Sequence, residues 1–232
     1  MSTDSADQRR RLTLFDLDHT LLNGDSDVLW CDFLIGHGLL EHATFAPRNA
    51  DMAARYRAGT VASREFADFY VGTLAGKTPQ QWDALRREFL TTQVAPRIST
   101  QAMELVQRHL AAGDLVVMTT ATNRFITELT AGYFGIKHLL ATEAELVEGR
   151  FTGRTQGTLN MREGKVARLR EWMAAQGQTV EQCHSTAYSD SINDLALLEA
   201  VDQAVCVDPD PTLLALALAR KWPVLRIPRP GV

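Results

Sequence analysis

Cysteine, surplus positive charge and long apolar runs are all scarce in this 232-residue chain, and each scarcity excludes something. The three cysteines, Cys31, Cys183 and Cys206, are an odd number without CxxC spacing. Neither a disulfide framework nor a thiolate zinc site is expected, and they read as reduced thiols in or near the core. Lys and Arg total 24 against 28 Asp and Glu, a net charge of -4. That balance lacks the positive excess that drives phosphate-backbone binding, so nucleic acid is not an expected partner. The longest wholly apolar run, residues 213–219, is far short of the ~20 residues that span a bilayer. No membrane crossing is expected. The opening stretch, MSTDSADQRR, is polar where a secretory signal has a basic start and an apolar core, which points to the cytoplasm. Gly 15 and Pro 8 are too few for a collagen-like or low-complexity chain.

What is present is an ordinary globular composition, 45% hydrophobic and 22% charged. A chain of this length buries about 70% of its surface on folding and needs no staples. The run Leu12-Thr13-Leu14-Phe15 is β-prone and stops at Asp16, with an Asn23-Gly24 turn signal soon after. From Ser26 to about Val94 apolar residues recur at helical spacing, as in Phe66, Phe69, Tyr70 and Leu74, or Trp82, Leu85 and Phe89. Gly36, Gly38, Pro47, Gly59 and Thr78-Pro79 punctuate this stretch into about four helices. After Pro96 helices alternate with apolar strand candidates at 115–119, 138–141, 186–188, 204–207 and 224–227, and Gly149 and Gly153 mark a hairpin. Alternation of this kind predicts an α/β fold, a three-layer Rossmann-like parallel sheet covered on both faces. Residues 1–23 would open the core with its first strand, 24–95 would form an inserted helical-bundle cap, and 96–232 would complete the core.

Open parallel sheets bind ligands beyond the carboxyl ends of their strands. Those ends carry Asp16, Asp18 and Thr20, then Thr119 and Thr120, then Ser189 and Asp190, with Lys165 at the start of a helix before the last pair. Asp16 and Asp18 point the same way from an extended segment and repel by ~3 kcal/mol at an effective dielectric of 20. A pocket that also receives Asp190 must hold a cation, a proton, or both. Carboxylate oxygens favour Mg2+ over zinc, and no Cys/His cluster competes. His19 lies beside the site without an HExxH pattern and reads as a local hydrogen-bonding partner, while His37 and His42 read as surface residues. Lys165, the Thr120 hydroxyl and free N–H groups at helix starts after Thr120 and at Asp190 suit a phosphoryl group. Asp194, four residues past Asp190, would anchor Lys165 or a metal-bound water. Singly, each position has an ordinary explanation: Thr120, Thr122 and Asp190 as helix caps, Lys165 as a solvated surface residue.

The order of these residues resembles the haloacid dehalogenase superfamily of phosphatases. The likeness rests on the stretch from Phe15-Asp16-Leu17-Asp18-His19-Thr20 to Leu21-Leu22, on Val116-Val117-Met118-Thr119-Thr120, on Gly164-Lys165, and on Tyr188-Ser189-Asp190-Ser191-Ile192-Asn193-Asp194. An insertion between the first two motifs resembles the phosphoserine phosphatase branch and its histidinol-phosphatase-like relatives. The resemblance implies that Asp16 is the nucleophile and becomes an aspartyl phosphate, and that Asp18 is the acid and then the base. Thr120 and Lys165 would hold the transferring oxygens. Mg2+ would be bound by Asp16, the Asp18 carbonyl and Asp190, with Asn193 and Asp194 in support. Four Asp and a phosphate dianion outweigh Mg2+ and Lys165, so at least one carboxyl must be protonated.

The branch places a Glu in the segment after its first motif, where this sequence has Asp25, with Asp27 near it. Asp68 falls where the branch has a cap Arg, with Arg64 and Arg57 as less well placed substitutes, and Arg124 follows the second motif as a further substrate contact. An acidic mouth without a matching Arg favours a cationic, carboxylate-free leaving group such as that of histidinol phosphate. A phosphomutase using the same Asp16 chemistry is compatible with the motifs. A phospho-accepting signalling module is about half this length and has no cap. The lack of GxxxxGK[ST] argues against a nucleotide kinase. The expected partner is a small phosphorylated metabolite.

Overall fold

A computed structural model describes residues 9–228, so the amino-terminal tail before Arg9 lies outside the described residues. The first strand, β1 (Arg10–Phe15), is followed by four helices: α1 (Ser26–Gly36), α2 (His42–Arg57), α3 (Ser63–Val71) and α4 (Pro79–Phe89). Then come α5 (Thr100–Ala111), β2 (Leu115–Asn123), α6 (Arg124–Tyr133), β3 (His138–Val147), β4 (Arg150–Gln156) and α7 (Glu163–Ala174). The chain ends in β5 (Cys183–Ser189), α8 (Leu195–Glu199), β6 (Gln203–Val207), α9 (Pro211–Arg220) and β7 (Val224–Leu225). The seven strands lie in the order β4-β3-β2-β1-β5-β6-β7. All pairings are parallel except that of β4, which folds back on β3 through the Glu148-Gly149 turn. The expected α/β architecture is therefore present, with one antiparallel edge strand.

The central strands are apolar on both faces and are covered from both sides, as a parallel sheet requires. Leu12, Leu14, Val117, Ala187 and Cys206 pack with Leu169, Met173, Leu197 and Leu213 on one face. Phe15, Val116 and Met118 pack on the other with Val106, Phe134 and Ile126. All three cysteines are unpaired and buried. No helix of the described residues is long and apolar enough to cross a membrane.

Helices α1 to α4 occupy the expected stretch, but their boundaries correct one reading. Pro47 sits inside α2 instead of ending a helix, whereas Thr78-Pro79 does start one, with Thr78 and Gln81 closing a capping box. The helical segment shares its core with the sheet domain: Trp30, Phe33, Trp82 and Phe89 belong to the same apolar cluster as Phe15 and Phe125. It is also tied to the β3–β4 hairpin. Gly76 N–H donates to the Phe151 carbonyl at 2.8 Å, and Asp68 accepts from the Thr155 N–H and hydroxyl at 2.9 and 2.7 Å. Arg64 donates to the same Thr155 hydroxyl at 2.8 Å. Asp68 and Arg64 are thus joints between segment and hairpin.

Candidate active site

Strand register builds the site. Phe15 pairs with Met118 on one side and Tyr188 on the other, so Asp16, Thr119 and Ser189 come level at the carboxyl ends of three adjacent strands. Chain order runs outward from β1 through β2 and β3, then switches to β5 on its other side, and a crevice opens at such a switch. Asp16 N–H donates to the Tyr188 carbonyl at 3.0 Å, extending the ladder one residue beyond the strand. The chain then coils tightly: the Leu17 carbonyl accepts from Thr20, Leu21 and Leu22, and His19 adopts a φ of 59°.

Lys165, the third residue of α7, enters this crevice with its Nζ 2.7 Å from Asp16 Oδ1 and 2.7 Å from Asp194 Oδ2. All three side chains are buried. Burial alone would lower the lysine pKa, but the Asp16 and Asp194 charges outweigh it and hold the ammonium above its usual range. Two residues deliver Lys165. The first is Asn160, which sequence reasoning missed because a lone Asn in an unpatterned loop carries no periodic signal. Fully buried, its amide nitrogen shares two hydrogens among Thr119 Oγ1, the Thr120 carbonyl and the Leu140 carbonyl at 3.0, 2.9 and 3.0 Å, which ties the loop before α7 to β2 and β3. The second is Gly164, where an added Cβ would lie 2.0 Å from the Leu159 carbonyl oxygen. No side-chain rearrangement relieves a clash with backbone. We expect Gly164→Ala to cost at least 1–3 kcal/mol, roughly the range for overpacking, in a denaturant titration, and to lower kcat by displacing Lys165. An unchanged midpoint would refute the close approach.

Asp194 reaches Lys165 by a route other than the expected one. No helix begins at Asp190; Ser191 caps a single turn over Ile192–Asp194, and α8 starts after it. Asp194 also accepts from the Ser189 hydroxyl at 2.7 Å. Likewise α6 begins at Arg124, capped by Asn123, and not directly after Thr120. Thr120 is fully buried and gives its hydroxyl to Asp18 Oδ2 at 3.3 Å, so the β2 residues that line the cavity are Ala121 and Thr122.

Asp18 turns its carboxyl toward the start of α1. Its Oδ1 accepts from Ser26 N–H at 2.7 Å and its Oδ2 from the Thr122 hydroxyl at 3.0 Å. That hydroxyl also lies 3.0 Å from Asp27 Oδ2, while Ser26 Oγ donates to it at 3.1 Å. One hydroxyl carries one hydrogen, so for both carboxyl contacts to be hydrogen bonds either Asp18 or Asp27 holds a proton. Burial, and then the charges of Asp25 and Asp18, push Asp27 well above the usual carboxylate range. Its Oδ1 has no hydrogen-bond partner among the described residues. Asp27, expected at the substrate mouth, is instead sealed behind Asp18.

Asp16 Oδ2 and Asp190 Oδ1 contact one Thr20 hydroxyl at 2.9 and 3.0 Å, again two carboxylates for one hydrogen. Burial raises Asp16 against the pull of Lys165, and the Asp194 and Asp18 charges add to it, to about 7. Asp190 is raised well above its usual value by burial and by Asp16 and Asp194. The crevice is short of positive charge. Two convergent carboxylates, together with an Asp18 carbonyl that accepts none of the turn hydrogen bonds, make a hard-oxygen donor set that fits Mg2+. No group of three or more His, Cys, Asp or Glu side chains is clustered for a metal among the described residues.

The cavity over these groups measures about 440 Å³. Asn193 and Asp190 line it from the core, and Asp25, Tyr56, Arg57 and Phe66 face them from α1 to α3. Asp25 Oδ1 caps α1 by accepting from the Asp27 and Val28 N–H groups at 3.0 and 3.1 Å, leaving its other oxygen for the pocket. Arg57, one of the two less well placed substitutes for the cap arginine, is exposed at this mouth, where its charge acts on Asp25. The helical spacing of Met52 and Tyr56 marks a helix and does not itself bring Tyr56 to a cavity. Arg124 is elsewhere: it contacts Glu143 at 2.9 and 3.1 Å and the Leu139 carbonyl at 2.9 Å, lining a separate cleft. A larger cavity of about 580 Å³ lies among β1, β5, β6 and α5, and Tyr188 is the one motif residue among those that line it.

Residues 13–199 match the family model described as haloacid dehalogenase-like hydrolase. The chain is 38% identical over 218 residues to a histidinol-phosphatase of Neisseria meningitidis, covering 93% of this chain and 98% of the relative. It is 32% identical over 218 residues to a phosphoserine phosphatase of Mycobacterium tuberculosis, covering 90% and 68%. A crystal structure of a Bordetella pertussis protein of unknown function superposes with a TM-score of 0.89 at 44% identity, covering 94% of this chain and 98% of the other.

Proposed function

The chain belongs to the haloacid dehalogenase-like hydrolase family and is one of its phosphatases, and from that premise we propose that it is a Mg2+-dependent phosphomonoesterase working through an aspartyl phosphate on Asp16. The observation that carries this reading is the buried Lys165 bridge between Asp16 and Asp194, with a second carboxyl, Asp18, turned to its own hydrogen-bond network. Asp16 Oδ attacks phosphorus as the bond to the leaving oxygen breaks, and Asp18 gives that oxygen its proton. Asp18 then takes a proton from the water that attacks the aspartyl phosphate, which releases inorganic phosphate and restores both carboxyls. Lys165 holds a transferring oxygen throughout. Asp16, Asp190 and the Asp18 carbonyl would hold Mg2+, whose charge would offset that of the transferring phosphoryl group. The helical segment over 24–95 serves as a cap that keeps bulk water from the intermediate.

For the leaving group, a small cationic alcohol of the histidinol phosphate kind fits best. Asp25 keeps one oxygen clear of the α1 cap; burial raises its pKa against the Val28 and Asp27 N–H groups and the Arg57 charge, and a cationic leaving group would favour its ionised form. A relative that is similar over nearly its whole length is a histidinol-phosphatase. Arg57 supports a second reading, phosphoserine, because an exposed guanidinium at the mouth can take a carboxylate. Steady-state kinetics separate the two. We expect kcat/KM for histidinol phosphate to exceed that for phosphoserine by at least about tenfold, the factor that ~1.4 kcal/mol of one added contact supplies; the reverse order would transfer the assignment to phosphoserine. Chelation should abolish both activities, and Mg2+ should restore them; activity that survives chelation would remove the metal from the proposal.

A further inference from the structure

Tyr56 is the one aromatic hydroxyl that the helical segment brings to the cavity wall, and nothing in the catalytic scheme uses it. Its ring stacks on Phe66 with centroids 4.2 Å apart and planes at 27°. Phe66 is almost completely buried, while Tyr56 is only partly so. Phe66, itself met edge-on by Tyr70 at 4.9 Å, covers one face of the Tyr56 ring, and Tyr56 lines the cavity with its hydroxyl in the field of Asp194, Asp16, Asp25 and Asp18. Asp25 lines the same mouth with one oxygen engaged in capping α1.

We propose that the Tyr56 ring, backed by Phe66, is the platform on which a flat leaving group lies, and that Asp25 neutralises the positive charge of that group. The site then recognises two features of one alcohol, a planar ring and a cation. Ring against ring suits an imidazole, offset-stacked on a surface already rigid, so little ordering entropy is spent on binding. A protonated ring or amine adds attraction to the tyrosine face and to Asp25. Phosphoserine supplies the cation but no ring. The inference rests on the phosphatase reading above and goes further by assigning selectivity to a particular side chain.

Three phosphate esters resolve the two features: histidinol phosphate has ring and cation, 2-aminoethyl phosphate the cation alone, and p-nitrophenyl phosphate the ring alone. In Tyr56→Leu the ratio of kcat/KM for histidinol phosphate to that for 2-aminoethyl phosphate should fall about tenfold, and in Tyr56→Phe it should stay within about twofold, because stacking resides in the ring. In Asp25→Asn, which preserves the cap of α1, the ratio of histidinol phosphate to p-nitrophenyl phosphate should fall instead. Equal losses on all three esters in Tyr56→Leu would make Tyr56 a structural residue and overturn the proposal. Should Tyr56→Leu fail to fold, the wild-type enzyme decides: histidinol should inhibit at a concentration at least about tenfold below that of 2-aminoethanol, and equal inhibition overturns the platform. Failure of the underlying reading looks different, since wild-type enzyme would then cleave none of the three esters.

Discussion

Asp16→Asn is expected to lower turnover of p-nitrophenyl phosphate by at least about four orders of magnitude while leaving the fold intact, as removal of a nucleophile does elsewhere. The amide has the size of the carboxylate but no charged oxygen to attack phosphorus. Its neighbours keep their partners: Lys165 retains Asp194 at 2.7 Å, and the Thr20 hydroxyl retains Asp190 at 3.0 Å. Burial and the charges of Asp194 and Asp18 disfavour an ionised Asp16, so the neutral variant relieves repulsion and its Tm should equal or exceed that of the wild type. Acid-quenched wild-type enzyme should carry one added phosphoryl mass on the peptide containing Asp16, and the variant none. Turnover near wild type, or a phosphopeptide elsewhere in the chain, would reassign the nucleophile.

How much of this was legible in the sequence depends on whether backbone or side-chain direction decides the matter. Asp16, Asp18, Thr120, Lys165, Asp190 and Asp194 could be placed together because strand ends in a parallel sheet converge whatever the side chains do. Spacing arguments failed wherever a turn replaced a helix. Asp194 meets Lys165 through a single turn after Ser191 and not along a helix face. Arg124 is four residues from Thr120, but β2 runs on to Asn123, so the first side chain of α6 points at Glu143 on β3. Asp25 and Asp27 looked alike in sequence, yet the start of α1 turns one to the cavity and buries the other against Thr122. Neither the role of Asn160 nor the approach of Tyr56 to the cavity had a readable signal. Which face of α2 meets the catalytic carboxylates is set by packing of Phe66 and Tyr70, and Asn160 matters only through the carbonyls that two strands happen to present to it.

Lys165→Met should unfold the protein more readily than any other change at the site. Removing the ammonium leaves Asp16 Oδ1 and Asp194 Oδ2, both once 2.7 Å from it, facing each other in a buried crevice. Two unit charges ~5 Å apart repel by ~3 kcal/mol at an effective dielectric of 20, and breaking a buried pair at one end costs about 3–5 kcal/mol. For a chain of this size that is a Tm loss on the order of 10 °C. The loss belongs to the stranded carboxylates and not to missing lysine packing, because methionine fills similar space. Adding Asp194→Asn to Lys165→Met should therefore recover most of the stability, a non-additive result that contact counting would not foresee. Activity should not recover with it. Without a cation against the transferring oxygen, kcat of both variants should lie about a thousandfold below wild type, the scale of losing a fixed charge-stabilising donor. A double variant as unstable as Lys165→Met would show that burial of charge is not what Lys165 offsets, while a double variant with restored turnover would remove Lys165 from the chemistry and leave it as a strut.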